Sequence, residues 1–168
     1  MLKTTFYWHI MKNKVDKIDL KIIDELLRNA KLTNVELAER VSLTPTPCLR
    51  RTKRLERDGV IERYTVLVDK EAIGLNISAF VFVKLEKHTN KQASLFENDL
   101  KRFPNITEFY VVSGEYDYIL KVNAKDLKDY DRFMKEELST ARGISNLSST
   151  IILSQPRLEY RVPDCLRY

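Results

Sequence analysis

The sequence predicts an α+β fold in two parts, because its hydrophobic residues follow two different spacings. In residues 16–59, apolar residues recur three and four positions apart, as they do in amphipathic helices. In residues 77–157, short runs rich in β-branched and aromatic residues alternate with two helical segments. Their order, β-α-β-β-α-β, predicts a four-stranded antiparallel sheet with both helices on one face.

The first part is predicted to contain three helices. The first runs to Arg28 and has Asp16 or Asp19 at its N-terminus. The second and third lie within residues 34–59 and are separated by a short break that ends at Thr44, which is placed to cap the third helix. Two consecutive helices joined by so short a turn predict a helix-turn-helix.

The third helix, which Gly59 is expected to end as a C-terminal cap, gives the strongest indication of function. Cys48, Thr52 and Leu55 lie on one inward side, and arginines fan over the remaining arc with Lys53 at its edge. A helix-turn-helix presents such a helix to the major groove of DNA, and we expect its arginines to be unpaired with acids of their own chain. The residues predicted to contact DNA are Asn34, Thr44, Thr46, Pro47, Arg50, Arg51, Lys53, Arg54, Arg57 and Arg63.

Different roles are expected within this set. Arg50, Arg51 and Arg54 are the leading candidates for base contacts, because an arginine can donate two hydrogen bonds to guanine. Contacts to phosphates, which position a protein without reading sequence, are expected from Lys53, Arg57 and Arg63. The alternative for the helix is an amphipathic surface helix whose charged side is merely solvated.

The distribution of charge favours a polyanionic partner. Residues 1–64 contain 14 Lys and Arg against 9 Asp and Glu, whereas the remaining residues contain 15 of each kind. A uniformly basic surface would not separate in this way, but phosphate binding requires local positive charge. RNA is a weaker candidate, because the basic helix has no exposed aromatic residues on which unpaired bases could stack.

Composition excludes several other classes of protein. No apolar run approaches the roughly 20 residues of a membrane span. Residues 1–14 have neither the apolar region nor the cleavage site of a signal peptide, and are expected to form a flexible extension. Cys48 and Cys165 are too far apart to suggest a disulfide framework, so a cytoplasmic location is expected. The sequence contains no metal-binding, phosphate-loop or nucleophile motif, and therefore predicts no catalytic residue, metal or cofactor.

The segments that follow Gly59 set the predicted boundaries of the second part. Residues 60–68 read either as a two-stranded wing or as an extended exit strand, and residues 69–76 as a linker. Gly114 and Glu115 are expected to form a tight hairpin. A sheet with helices on one face leaves its other face bare, which predicts a dimer. The predicted strands are residues 77–85, 106–113, 116–122 and 146–157, and the predicted helices are residues 90–102 and 126–140.

Four motifs in this order resemble the Lrp/AsnC family of leucine-responsive, or feast/famine, transcription regulators. They are the pair Asp16 and Asp19 and residues 34–51, 54–61 and 112–120. The resemblance implies a winged helix-turn-helix DNA-binding domain in residues 15–68 and an ACT-like (RAM) effector-binding and oligomerisation domain in residues 77–158. Residues 159–168 would then be a C-terminal tail. It also implies homodimers that can assemble into octamers, and control by a small effector, commonly an amino acid.

The same resemblance places the effector site near the predicted hairpin, at Gly114, Glu115 and Asp117, with Ser149 on the last strand. A zwitterionic amino acid needs a carboxylate for its ammonium group and backbone N–H donors for its own carboxylate. Glu115 or Asp117 would supply the first, and the glycine allows close approach to the backbone. The alternative is that the glycine only forms the turn and the acids face water.

Two further functions compete with the effector-controlled regulator. One is an architectural DNA-binding protein that responds to no effector, which shares every feature of the first part. The other is an enzyme similar to the haem-biosynthesis decarboxylases that resemble this family, which depend on histidines. This chain contains only His9 and His88, so that function is disfavoured and no enzymatic activity is predicted.

Overall fold

The structure, a computed structural model, describes residues 15–156, 160–163 and 166. It divides into two compact units, one containing the described residues up to Val66 and those of the C-terminal tail, and the other spanning Leu67–Pro156. The predicted extension at residues 1–14 and Cys165 lie outside the described residues. None of the helices described is long and apolar enough to cross a membrane.

The first unit contains three helices, α1 (Lys17–Arg28), α2 (Asn34–Arg40) and α3 (Pro45–Arg57). Their apolar sides meet in a core that includes Ile22, Leu37, Cys48 and Leu55, all of which are buried. This confirms the inward side that was predicted for α3. Gly59, with φ of +70°, follows α3 in the left-handed conformation that glycine adopts without strain.

The ends of the helices are fixed by local hydrogen bonds. Asp16 caps α1 and Thr33 caps α2, each in a reciprocal capping box with the acid three residues later. Thr44 lies at the N-cap position of α3, but its side chain makes no capping hydrogen bond, so that part of the prediction is wrong. The turn before it closes α2 through Ser42, which has φ of 57°, and through a 2.8 Å hydrogen bond from the Leu43 N–H to the Ala38 carbonyl.

The segment after α3 is extended and forms no strand with any other described residue. Of the two alternatives for residues 60–68, the structure has the extended exit segment, with no strand pairing assigned to it. A hairpin needs two strand-forming runs joined by turn residues, and Ile61, Glu62 and Arg63 supply no such turn. Further along the chain, the tail residue Val162 is buried in this first unit and donates its N–H to Asp24 Oδ1 at 2.8 Å.

The second unit has the predicted β-α-β-β-α-β order. The elements are β1 (Ile77–Leu85), α4 (Asn90–Leu100), β2 (Ile106–Val111), β3 (Tyr118–Ala124), α5 (Leu127–Arg132) and β4 (Ile144–Ile151). The antiparallel sheet has the strand order β2-β3-β1-β4, and Val81 in β1 pairs with Leu120 in β3 and Ser149 in β4. Phe96 and Phe133 come from the two helical segments and pack against the same face of the sheet.

Three predicted features of this unit are wrong: the hairpin, the second helix and the last strand. Residues 112–117 form a loop instead of a tight hairpin, because the Asp117 carboxylate accepts the N–H of Leu85 at 2.8 Å and holds the loop against the end of β1. The predicted helix of residues 126–140 contains α5, a wider π-helical turn and a tight 3-10 turn. The last strand starts at Ile144 and ends at Ile151.

Candidate nucleic-acid interface

One side of α3 presents a continuous exposed surface that contains three cations. A helix turns about 100° per residue, so positions three, four and seven apart fall on the same side. Lys53 lies one turn after Leu49 and one turn before Arg57. It is therefore at the centre of this side, not at its edge as predicted. The side, called here the exposed face of α3, consists of Thr46, Leu49, Arg50, Lys53 and Arg57.

The cations of this face differ in how they are paired. Among the described residues, Arg50 and Lys53 have no carboxylate partner. Arg57 donates its Nε to the neighbouring Asp58 at 3.1 Å, but its side chain remains mostly exposed. An exposed pair of this kind contributes little free energy, so the guanidinium group remains available to a phosphate.

Leu49 was missed by the sequence reasoning. Its side chain is 42 % exposed on the same side as Thr46 and Lys53. An apolar group among cations has a place in a major-groove surface, because the methyl group of thymine offers an apolar contact. The spacing was sufficient to find it, since Leu49 lies three residues after Thr46 and four before Lys53.

Arg51 and Arg54 are also paired with acids of their own chain, so the expectation of unpaired arginines is wrong for Arg51, Arg54 and Arg57. Arg51 Nη1 donates to Asp16 Oδ2 at 2.6 Å and to Asp19 Oδ1 at 2.9 Å. Arg54 Nη2 donates to Asp19 Oδ2. The reason is the helical position of Arg51, which is one turn from the buried Leu55 and therefore faces α1 across the edge of the core.

The two acids that bind these arginines also begin α1. Asp16 Oδ1 accepts the N–H groups of Ile18 and Asp19 at 2.9 Å, and Asp19 Oδ2 accepts the N–H of Asp16 at 2.9 Å. Partial burial tends to raise the pKa of Asp16, but these N–H donors and Arg51 outweigh it and lower the pKa below its ordinary value. The hydrogen bonds that Arg51 donates to Asp16 and Asp19 raise the pKa of Arg51. The cluster of Asp16, Asp19, Arg51 and Arg54, called here the α1–α3 cluster, joins the two helices.

The other residues that were predicted to contact DNA are not part of the exposed face of α3. Asn34, the first residue of α2, donates its Nδ2 to the Pro45 carbonyl at 2.9 Å and so holds the starts of α2 and α3 together. Thr44 and Arg63 are exposed, and Pro47 is half-buried in the first turn of α3. Contacts of these four residues with DNA stay predictions.

The predicted effector residues do not all lie together. Gly114, with φ of +137°, and the exposed Glu115 are in the loop of residues 112–117, but Ser149 is on the edge strand β4. Both carboxylate oxygens of Asp117 already have partners in this chain. Its Oδ1 lies 2.9 Å from Nδ1 of His88, and its Oδ2 accepts the N–H of Leu85. Within the described residues, no group of three or more His, Cys, Asp or Glu side chains is placed to hold a metal ion.

Comparison with known proteins gives the family. The profile described as "Lrp/AsnC ligand binding domain" matches residues 78–162, and the profile "Winged helix-turn-helix DNA-binding" matches residues 15–62. The chain belongs to the Lrp/AsnC family. The resemblance that was inferred from the motifs is therefore confirmed, together with the fold class.

Relatives match over most of their length. The chain is 36 % identical over 149 residues to the DNA-binding transcriptional activator DecR of Escherichia coli K12, covering 89 % of this chain and 98 % of that protein. It is 32 % identical over 148 residues to the leucine-responsive regulatory protein of the same strain, covering 88 % and 90 %. A transcriptional regulator from Neisseria meningitidis, solved as a complex with L-Met, has a TM-score of 0.82 and 32 % identity, covering 89 % of this chain and 96 % of that one. The chain is thus a transcriptional regulator of the Lrp/AsnC type, with a DNA-binding and a ligand-binding domain.

Proposed function

We propose that this regulator binds specific sites in double-stranded DNA in the cytoplasm by inserting α3 into the major groove. The exposed face of α3 is the observation that carries the proposal. It combines Arg50 for base edges, Lys53 and Arg57 for phosphates, and Leu49 for apolar contact with thymine. Arg51 and Arg54 lie at its edge and approach the duplex from the α1–α3 cluster.

A homodimer would present two such helices to successive major grooves, about 34 Å apart. The proposed dimer surface is the side of the sheet opposite the helices. Phe80 and Tyr110 are exposed there, and Phe82 packs against Tyr116 with ring centroids 5.5 Å apart. A second copy would bury these aromatic groups. Association of dimers into octamers is a further expectation, and sedimentation of the full chain measures both.

The proposed regulation is control by a small effector such as an amino acid. A relative binds L-Met in its solved structure, and the matched profile is that of a ligand-binding domain. The proposed site uses Gly114, Glu115 and Asp117 in the loop of residues 112–117, and a contact of Ser149 on β4 with the effector stays a prediction. Glu115 is exposed and unpaired among the described residues, so it is our candidate for the ammonium group.

The DNA-binding proposal is tested with a duplex selected by the full chain from a random-sequence library, and with a duplex of unselected sequence. Arg50→Ala should weaken binding to the selected duplex about 5- to 150-fold, the range expected for one lost bidentate base contact. Lys53→Ala should weaken binding to both duplexes alike. Lys128→Ala, which removes an exposed cation on α5 in the second unit, is the matched control. If Arg50→Ala and Lys53→Ala behave like the control, α3 is not the DNA-binding helix.

The effector proposal is tested by titrating the twenty amino acids, beginning with L-Met, while DNA affinity and sedimentation are measured. Glu115→Gln should remove the response to the active amino acid, because it removes the partner of the ammonium group. Glu136→Gln, an exposed change on the helical side of the same unit, should leave the response intact. Should no amino acid change either measurement, the protein is the effector-independent DNA-binding alternative.

A further inference from the structure

We propose that Asp16 competes with DNA phosphate for Arg51, so that the start of α1 limits the DNA affinity of α3. In this arrangement Asp19 is a positioning residue that keeps Arg51 and Arg54 at the edge of the exposed face of α3. The inference rests on the proposed binding of DNA by α3.

The first support is that Arg51 and Arg54 bind the two acids while some of their N–H donors remain unused. A guanidinium group has five N–H donors. Arg51 meets both acids through Nη1, and Arg54 meets Asp19 through Nη2. Their other nitrogens make no hydrogen bond to a described residue, and the side chains are 25 % and 36 % exposed. Both arginines can therefore donate to an incoming phosphate while Asp19 still holds them to α1.

The second support is the difference in burial between the two acids. The Asp19 side chain is 0 % exposed, whereas that of Asp16 is 51 % exposed. A buried carboxylate that loses its arginine is left unpaired at high free-energy cost, but an exposed one is rehydrated by water. A phosphate oxygen that approaches Arg51 therefore displaces Asp16, and Asp19 stays bound.

The third support is that the two carboxylate oxygens of Asp16 bind different groups. Oδ1 accepts the two N–H groups that cap α1, while Oδ2 binds Arg51. Arg51 can leave Oδ2 without uncapping the helix. For the same reason, Asp16→Asn keeps a good N-cap residue while it removes the charge that holds Arg51.

The charges of the cluster set the direction of the effect. Asp16 and Asp19 offset the charges of Arg51 and Arg54, so the basic surface of α3 consists of Arg50, Lys53 and Arg57. Loss of the Asp16 charge adds one net positive charge beside that surface. Removal of the Asp16 carboxylate at the start of α1 should therefore strengthen DNA binding.

The test uses full-length Asp16→Asn with the selected duplex and the unselected duplex over a series of salt concentrations. Affinity for both should rise about two- to five-fold, as expected for release of one exposed ion pair. The slope of log affinity against log salt should steepen by up to about 0.9, because one more phosphate is neutralised. Glu39→Gln makes the same charge change on the exposed surface of α2 without releasing an arginine, and should have a smaller effect on both quantities.

A second variant and a double variant identify the cause. Asp16→Ser also keeps an N-cap side chain and removes the carboxylate, so it should reproduce the gain if Asp16→Asn folds poorly. In an Arg51→Ala background, Asp16→Asn should give no more than the Glu39→Gln effect. The inference is overturned if Arg50→Ala weakens binding but both Asp16 variants match Glu39→Gln, or if both lower affinity. If neither Arg50→Ala nor Lys53→Ala weakens binding, it is the proposed function that fails.

Discussion

Asp19 in the first unit and Asp99 in the second are both buried carboxylates, and each binds the side chains of two arginines. Arg142 binds Asp99 through its backbone N–H at 3.1 Å, through Nε at 2.9 Å and through Nη2 at 2.8 Å, and Arg102 adds Nη2 at 2.9 Å. At Asp19, by contrast, each arginine contributes one nitrogen. The Asp99 cluster therefore has a bidentate fork, and the α1–α3 cluster does not.

The difference shows how one pair of residue types can serve two purposes. A bidentate pair fixes both partners in one geometry, and here it fastens the segment before β4 to α4. A pair made through one nitrogen leaves donors free and permits exchange of partners. The α1–α3 cluster also has a second, exposed acid, Asp16, which the Asp99 cluster lacks among the described residues. The Asp99 cluster, called here a lock, thus holds its partners in one geometry, whereas the α1–α3 cluster contains the contact that we propose DNA modifies.

The largest effect that separates the two clusters should come from Asp99→Ala. The change removes every acceptor in the lock, and we expect the free energy of unfolding to fall by about 2 kcal/mol. Denaturant unfolding of the full-length protein, followed by circular dichroism, measures the loss. Asp131→Ala removes an exposed pair with Lys135 and should cost about 0.5 kcal/mol or less. Equal losses in the two variants would show that Asp99 is not a lock, and DNA affinity should change in neither.

The second effect is a dependence of stability on acid pH. The hydrogen bonds of Arg142 to Asp99 outweigh the effect of burial and lower the pKa of Asp99 from 3.8 to about 2. Because the folded pKa is below the unfolded one, the stability that Asp99 contributes is present above pH 4 and is lost as pH falls towards 2. After allowance for the exposure of both arginines, the contribution is roughly 1–2 kcal/mol.

The pH effect is measured by comparing wild type with Asp99→Asn. The difference in free energy of unfolding should be largest near neutral pH and should shrink as pH is lowered from 4 towards 2. A difference that stays constant over this range would mean that the carboxylate has an ordinary pKa in the folded protein. Asp131→Asn serves as the control, because its charge is exposed on the surface.

Local patterns were enough to predict most of the fold. The inward side of α3 followed from the spacing of Cys48, Thr52 and Leu55, and Gly59 marked the end of that helix. The order of strands and helices in the second unit followed from the alternation of apolar runs. These features depend on residues a few positions apart, which is the range over which helical and strand periodicity can be read.

Features that depend on distant residues could not be predicted in this way. The pairing of Arg51 with Asp16 joins residues 35 positions apart, and the loop of residues 112–117 is held by Leu85, 32 positions from Asp117. Nothing in the sequence near Arg51 distinguishes it from Arg50, apart from its position one turn before Leu55. The exposure of Arg50 and Arg57 was therefore predicted correctly, but the predicted arginine surface was too broad on the side that faces α1.

The smallest and most selective test exchanges arginine for lysine in each cluster, because lysine keeps the charge but cannot form a fork. Arg142→Lys should lower the free energy of unfolding by about 1 kcal/mol, since Nε and Nη2 both bind Asp99. Arg51→Lys should cost about 0.3 kcal/mol, since one nitrogen carries both contacts of Arg51. Unfolding curves of the two full-length variants measure the difference. Equal costs would mean that the fork adds nothing to the Asp99 cluster, and the distinction between a lock and an exchangeable contact would then rest on the exposed Asp16 alone.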